Sequence, residues 1–312
     1  MLSKIRDTGT VLSLPVLVRM AKQVMWDSKA REELQKQGVS ISPANFYNDI
    51  PTIEELRNGF ETREAAPYLM EFFDEAAQQR MLAAMMPFAG EFDPPQEPSE
   101  DGLRYGWKNG MFSNLDAMAY YCMLRHFQPR RVLEIGSGHS TRVALQALDR
   151  NGSGELLSIE PYPSDALKNM PITLQTGFAQ DFGPEFFNDQ LADGDVFFID
   201  STHTVKASSD CCHLYLRILP QLRRNVIVHV HDIALPQGIN VNNAIERQIY
   251  WTEQYLLAAL LCDNPKAEFL LGAVFANLRA RSTVEQLMGG KARPGGGSFW
   301  FRWNGQREVA RS

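Results

Sequence analysis

Short apolar runs alternate with longer amphipathic segments in the second half of the chain. Five of these runs have the four to eight residues expected of strands buried on both faces. They are residues 131–135, 155–160, 172–175, 195–200 and 225–232. Because the spacers are long enough for crossover helices, the pattern predicts a doubly wound α/β fold with a parallel, Rossmann-like sheet.

The pattern also predicts the elements that complete this sheet. Residues 205–219 and 244–262 have helical patterns and follow the fourth and fifth strands. Residues 269–274 and 298–303 flank a glycine-rich stretch and could pair as a terminal hairpin. With the five earlier runs these two make a seven-stranded, mostly parallel sheet.

The first third of the chain lacks this alternation. Residues 1–88 are helical and irregular in pattern, and Thr52 is placed to cap a helix that carries Glu55. Residues 89–104 include the stretch EFDPPQEPSEDG, whose three prolines and five acids predict an exposed linker or lid. We therefore predict an N-terminal helical extension that caps the substrate or mediates homo-oligomerisation, then the acidic linker, then the sheet domain over 105–312.

Composition and net charge limit the kinds of partner and the cellular location that we expect for the protein. A net charge of -6 and a pI of about 5.6 give no basic surface for a phosphate backbone, so we expect no nucleic acid. The four cysteines show no metal-site spacing and fit reduced thiols, which predicts a cytoplasmic protein. No apolar stretch reaches the roughly 18 residues of a membrane span. The apolar run 11–18 contains Pro15 and does not fit a signal peptide.

The most informative stretch is RVLEIGSGHST, residues 131–141. It reads as a strand that ends in an acid, followed by a turn with two close glycines and a helix start. In doubly wound sheets, ligands bind at the carboxyl ends of the strands, and the first such turn carries glycines. A dinucleotide site would have a third glycine where Thr141 stands, and a P-loop would have Lys followed by Ser or Thr.

The acids at the strand ends indicate the charge of the ligand. Glu134 would repel a pyrophosphate but attract a cationic group. Glu160 ends the second strand, 26 residues later, and a carboxylate there can accept both ribose hydroxyls. The sequence therefore predicts a cationic nucleoside as the ligand.

Four strand-end motifs occur in the order seen in one enzyme family. They are LEIGSGHST, LLSIEPYPSDAL, DVFFIDSTHTVK and VIVHVHDIALP. With them, the chain resembles the class I S-adenosylmethionine-dependent methyltransferases, and among these the methyltransferase-24 type that acts on small molecules. The resemblance spans about residues 105–303 and implies a last strand that is antiparallel to its neighbours.

The resemblance implies a set of cofactor-binding residues. The methionine part of S-adenosylmethionine would be held at the first motif, with cover from the loop before the first strand, and the ribose at the second. The adenine would lie after the third strand. The implied residues are Glu134, Gly136, Ser137, Gly138, Ser140, Glu160, Ala179, Gln180, Asp181 and Asn109.

The catalytic candidates lie at the ends of the fourth and fifth strands. They are Asp200, His203, His231 and Asp232. In related metal-dependent O-methyltransferases, acids at these strand ends hold Mg²⁺, which implies a metal on Asp200, His231 and Asp232. His231 stands where those enzymes have an oxygen ligand, so a softer metal or no metal is also an option. Without a metal, His203 or His231 would accept the proton of the acceptor.

These features predict an S-adenosylmethionine-dependent methyltransferase that acts on a small-molecule acceptor, with a hydroxyl or carboxyl oxygen as the expected nucleophile. Two alternatives keep the same fold: an NAD-dependent oxidoreductase, and a non-catalytic protein that binds the nucleoside. Binding of NAD in place of the adenosyl cofactor would favour the first. Intact cofactor binding without turnover on any acceptor would favour the second.

Overall fold

The structure is a computed structural model that describes residues 13–59, 71–112 and 114–305. The chain divides into two compact units, Met1–Gly59 and Phe60–Ser312. Residues 1–12 and 60–70 of the predicted N-terminal extension lie outside the described residues. Among the residues described, no helix combines the length and the apolar character needed to cross a membrane.

The first unit contains three helices. They are α1 (Leu14–Met25), α2 (Ser28–Lys36) and α3 (Ile53–Asn58). The predicted cap of α3 is confirmed: the Glu55 backbone amide donates to Thr52 Oγ1 at 3.2 Å, and the Thr52 amide donates to Glu55 Oε2 at 2.7 Å. In α1 and α2, all of whose residues are described, no side chain is buried.

The second unit is built on a seven-stranded sheet in the order β3-β2-β1-β4-β5-β7-β6. The strands are β1 (Arg131–Ile135), β2 (Glu155–Ile159), β3 (Thr173–Gln175), β4 (Val196–Ile199), β5 (Val226–Val230), β6 (Ala267–Gly272) and β7 (Phe299–Trp303). Strands β1 to β5 are parallel, whereas β7 is antiparallel to both β5 and β6. The predicted fold class, strands and antiparallel last strand are therefore confirmed.

Helices cover both faces of the sheet. They are α4 (Glu75–Ala89), α5 (Leu115–Phe127), α6 (His139–Asn151), α7 (Asp165–Lys168), α8 (Pro184–Gln190), α9 (Asp210–His213), α10 (Val241–Arg247), α11 (Glu253–Leu261), α12 (Ala273–Arg279) and α13 (Arg281–Met288). Buried side chains of α4, α5, α6 and α13 share one apolar cluster, and those of α8, α9 and α11 share the other. Strand order reverses between β1 and β4, which places a ligand crevice at their carboxyl ends.

Two segments near the predicted domain boundaries pack into the core of the second unit. Helix α4 covers the end of the predicted extension, and its Leu82 and Met85 are fully buried in that core. The predicted linker is anchored by Phe92, which is buried and stacks on Tyr121 with ring centroids 4.7 Å apart. Its prolines and acids indicated an exposed segment, but the one aromatic residue inside it fixes it to the core.

The two predicted helices after β4 and β5 both differ from their predicted ranges. The first begins at Asp210 rather than at residue 205, because Ser209 caps the helix start by accepting from the Cys212 amide at 3.2 Å, and its helical residues continue to Gln221. The second is divided into α10 and α11, since Gln248 adopts a left-handed conformation with φ of 56°. The predicted strand pair 269–274 and 298–303 is paired as β6 and β7, although α12 and α13 lie between the two strands.

Candidate active site

The turn from β1 to α6 lies against the end of β4. Gly136 has φ of +80°, and a Cβ atom there would lie 2.0 Å from the backbone oxygen of Asp200. A side chain at this position would therefore be strained by the backbone and would also overlap the neighbouring strand. Glycine is required because two strand ends approach each other at the point where the strand order reverses.

Glu134 lies beneath this turn and is fully buried. Its Oε1 accepts a hydrogen bond from the Tyr120 hydroxyl at 3.0 Å, and its Oε2 accepts one from Thr141 at 2.7 Å. Burial raises the pKa of this carboxyl to about 7, although the two hydroxyl donors oppose the rise. Glu134 therefore supports the turn from behind rather than offering an open carboxylate in the crevice.

The raised pKa of Glu134 predicts a pH dependence of stability. An acid whose pKa is about 7 when folded and 4.5 when unfolded supports folding fully below pH 4.5 and loses that support as pH rises through 7. At about 1.4 kcal/mol per pH unit, the loss is about 3 kcal/mol. We expect Glu134→Gln to gain about 3 kcal/mol of unfolding free energy relative to wild type between pH 4.5 and 8. Urea denaturation at several pH values measures it.

The matched control for this experiment is Glu268→Gln, which changes an exposed glutamate on β6. Between pH 4.5 and 8 the change relative to wild type should be larger for Glu134→Gln than for this control. An equal change in the two variants would contradict the raised pKa of Glu134.

Glu160 follows β2 and faces the glycine turn. Its Oε2 accepts from the Ser137 hydroxyl at 3.2 Å, and its Oε1 accepts from the Tyr162 amide at 2.8 Å. The side chain is partly exposed, so both oxygens can accept further hydrogen bonds from a ligand. The structure thus brings together the predicted methionine and ribose positions at one crevice.

The predicted adenine residues form a short turn after β3, Ala179–Asp181. Asp181 accepts from the Phe178 amide at 2.8 Å, and the Gln180 side chain donates to the Ser208 carbonyl at 3.0 Å. The loop is joined to Glu160, whose carbonyl accepts from the Gly177 amide at 3.4 Å. Asp181 therefore stabilises its own turn, and the turn lies next to the ribose position.

Two further residues predicted to bind the cofactor, Ser140 and Asn109, are engaged in contacts within the protein. Ser140, in the first turn of α6, is buried close to Glu134 and lowers its pKa by hydrogen bonding. Asn109 braces its own loop: its amide donates to the Gly106 and Phe112 carbonyls, each at 2.8 Å, and its oxygen accepts from two backbone amides. Asn109 thus shapes the loop and has no unused polar group to offer a ligand.

The four catalytic candidates converge at the ends of β4 and β5, in what we call the acid–histidine corner: Asp200, His203, His231 and Asp232. Asp200 Oδ1 lies 3.2 Å from both His203 Nε2 and His231 Nδ1. Asp232 Oδ2 lies 3.7 Å from the first nitrogen and 3.6 Å from the second. His203 and Asp232 have φ of 57° and 55°, left-handed conformations that cost an L residue about 1–2 kcal/mol.

Two buried acids outside the motifs flank the corner. Glu253, the first residue of α11, accepts the Tyr215 hydroxyl at 2.6 Å and lies 2.7 Å from His203 Nδ1. Asp116, in the first turn of α5, lies 3.5 Å from His231 Nε2 and accepts the Ser298 amide at 2.7 Å. In the sequence each is only an acid in the first turn of a mainly apolar helix, and that signal does not identify a partner.

Each histidine therefore lies between two carboxylates. Although burial opposes protonation, Asp200 and Glu253 raise the pKa of His203 to about 10. Burial also opposes the charge on His231, but Asp200 and Asp116 raise its pKa well above the usual range. Burial raises the pKa of Asp200, yet the two histidines outweigh it and hold the value far below normal. At neutral pH both imidazoles keep their protons, so neither is a free proton acceptor as arranged.

Asp232 differs from the other members of the corner. Burial raises the pKa of its carboxyl, and His231 only partly offsets the rise. Its side chain is 33% exposed. Asp232 therefore combines a raised pKa with access to a neighbouring cavity.

Comparison with known families agrees with the strand-end motifs. Residues 133–233, about a third of the chain, match the family model of a methyltransferase domain, the methyltransferase-24 family. This match confirms, for the matched segment, the resemblance to class I S-adenosylmethionine-dependent methyltransferases. The matched segment contains the glycine turn, Glu160 and all four residues of the acid–histidine corner, but not Asp116 or Glu253.

Individual proteins resemble this chain either over part of its length or at low sequence identity. An uncharacterised protein of Archaeoglobus fulgidus is 35% identical over 139 residues, which are 42% of this chain and 62% of that protein. The O-methyltransferase TomG of Streptomyces achromogenes, solved with S-adenosylmethionine, is 17% identical with a TM-score of 0.42, covering 74% of this chain and 99% of TomG. A Bacillus cereus O-methyltransferase solved with S-adenosylhomocysteine is 15% identical with a TM-score of 0.37, covering 76% and 96%.

Proposed function

We propose that this protein transfers the methyl group of S-adenosylmethionine to an oxygen of a small-molecule acceptor. The observation that carries the proposal is the position of the corner. It lies one strand away from the glycine turn, and the turn itself touches Asp200. A sulfonium bound at the glycine turn, with the ribose at Glu160, would therefore present its methyl group near Asp200 and Asp232.

The chain's own residues would act mainly by positioning. In-line transfer breaks the bond from carbon to sulfur, forms the bond from carbon to oxygen, and releases the hydroxyl proton. Asp232 is the group suited to accept that proton, because it is accessible and its pKa is raised. His203 and His231, both protonated, would hold Asp200 and Asp232 in place, a change from the role of proton acceptor expected from the sequence.

The corner also fits a divalent metal. Ligand atoms of Asp200, His231 and Asp232 lie within 4.8 Å of one another. A carboxylate behind a metal-bound imidazole is the usual arrangement, and Asp116 stands behind His231. Imidazole suits zinc, iron or nickel, whereas Mg²⁺ prefers oxygen, so a metal of the first kind would suit these three residues. Such a metal would displace the proton of His231 and would replace Asp232 as the group that activates the acceptor. When bound, it would polarise the acceptor oxygen and lower its pKa.

The experiment that tests the proposed function is calorimetry with S-adenosylhomocysteine, with NAD as the competing ligand. We expect S-adenosylhomocysteine to bind. Glu160→Ala should weaken this binding about 10- to 100-fold, because two charge-assisted hydrogen bonds to the ribose are lost. The matched control is Glu155→Ala, an exposed acid at the opposite end of β2. Binding of NAD alone, or equal binding by Glu160→Ala and wild type, would contradict the proposal.

A further inference from the structure

A cavity of about 220 Å³ lies beside Asp232. Residues of the segment after β5, of α10, of the start of α11 and of α12 line it, together with two glycines that precede β7. Asp232 belongs to both the acid–histidine corner and the wall of this cavity. A molecule in the cavity would therefore meet the corner at one end.

The walls of the cavity are mainly apolar. The apolar side chains that line it are Ile233, Ala234, Ile239, Ile249, Trp251 and Val274. Pockets for drug-sized ligands have volumes of about 300–1,000 Å³. The cavity is smaller than this, so it suits an apolar body of one or two rings.

Most polar groups in the wall already have partners. Gln254 accepts the Ala234 amide at 3.0 Å and donates to the Gln237 carbonyl at 3.4 Å. Asn240 accepts the Asn243 amide at 3.0 Å as the cap of α10. Glu253 is held between Tyr215 and His203. The Asp232 and Asn243 side chains remain, and of these two Asp232 is the one at the acid–histidine corner.

The charge of the wall selects against ionised acceptors. All the lining residues lie in the part of the chain that the structure describes, and neither Lys nor Arg occurs among them. The charged ones are Asp232 and Glu253, both acids, and the two imidazolium groups beside them are buried and already paired with carboxylates. The wall therefore offers no unpaired cation to a carboxylate or phosphate. A cationic group would have to leave water for apolar walls, while Glu253 already has two partners.

Resting on the proposed methyl transfer, we infer that this cavity takes the acceptor, and that the acceptor is an uncharged hydroxyl compound with a small apolar body. Its hydroxyl would lie at Asp232 and its apolar part among the isoleucines and Trp251. Acceptors that carry a carboxylate, a phosphate or an ammonium group on that apolar part are excluded by the same walls.

The test uses three phenols of nearly equal shape with the 312-residue chain saturated in S-adenosylhomocysteine. They are 4-methylphenol, 4-hydroxybenzoate and 4-hydroxybenzylamine, which are neutral, anionic and cationic. Titration followed by saturation-transfer NMR should give an affinity for 4-methylphenol at least about 10-fold higher than for either charged analogue. Equal or tighter binding of a charged analogue would overturn the inference, as would no binding of any phenol.

A pair of variants at Ile239 locates the binding in this cavity. Ile239→Lys adds a cation to the wall and should raise the affinity for 4-hydroxybenzoate at least about 10-fold, whereas Ile239→Gln should leave the order of affinities unchanged. If the order of affinities for the three phenols is unchanged in both variants, the apolar end of the phenol does not lie in this cavity. Failure to bind S-adenosylhomocysteine would instead count against the proposed function, so the two failures are distinguishable.

Discussion

Replacing Gly136 with alanine is expected to lower the affinity for S-adenosylhomocysteine by about 100-fold or more. The added Cβ would lie 2.0 Å from the Asp200 backbone oxygen, in a residue with φ of +80°. The left-handed conformation costs alanine about 1–2 kcal/mol, and relieving the overlap costs about 1–3 kcal/mol more. The turn and the end of β4 must move apart, and both contribute to the proposed cofactor crevice. Calorimetry gives the affinity, and circular dichroism checks that the variant is folded.

The matched control is Gly152→Ala. Gly152 also has a positive φ, +68°, but a Cβ there would have no neighbour within 4 Å. It ends α6 on the side remote in sequence from the turn, so the variant should lose about 1–2 kcal/mol of stability and keep its affinity. Affinities within threefold of wild type for both variants would show that the crevice beside Gly136 does not bind the nucleoside.

The sheet and the strand-end residues were predictable because one rule governs both. Runs such as 131–135 and 225–232 contain the continuous apolar residues that a strand buried on both faces needs. Carboxyl ends of parallel strands meet at one edge, so residues as far apart as Asp200 and His231 could be placed together from the strands alone. The antiparallel β7 followed from the resemblance rather than from its own pattern.

The partners of the two histidines were not predictable, because they come from helices whose placement depends on packing. Asp116 precedes β1, whereas Glu253 begins α11, and no local spacing links either residue to its histidine. The break before α11 is itself a consequence of the site. The amides of Thr252 and Glu253 both donate to the His203 carbonyl, at 2.9 and 3.1 Å, which starts the new helix there. An amphipathic pattern cannot show a helix start that is fixed by a distant loop.

The same limit applies to the direction of proton transfer. A histidine at a strand end is ordinarily a candidate base, since its pKa is near neutral. His203 and His231 are cations here only because four carboxylates surround the two rings. That environment is a property of the packed structure. Because of it, the proposed role of proton acceptor passes from the histidines to Asp232.

Replacing Asp200 with asparagine is expected to lower the pKa of both His203 and His231 toward 6.5, because the shared anion 3.2 Å from each ring is lost. Stability should fall by about 3 kcal/mol near neutral pH, since two buried imidazoles lose a charged partner. The support that the His203 proton gives to folding is complete below pH 6.5 and is lost as pH rises through about 10. In the variant this loss should occur at lower pH. Histidine ¹⁵N NMR measures the titrations, and urea denaturation measures the stability.

Asp195→Asn is the matched control, because Asp195 is a buried acid that immediately precedes the same strand, β4, at the opposite edge of the sheet. Its carboxylate accepts the Arg131 amide at 2.8 Å and pairs with Arg130 at 2.9 Å. The control should lose stability yet leave both histidine titrations as in wild type. A wild-type His203 that titrates near 6.5, or an Asp200→Asn variant with unchanged titrations, would show that the corner does not hold its histidines as cations. In that case the hydroxyl proton of the methyl acceptor could pass to His203 or His231, as expected from the sequence.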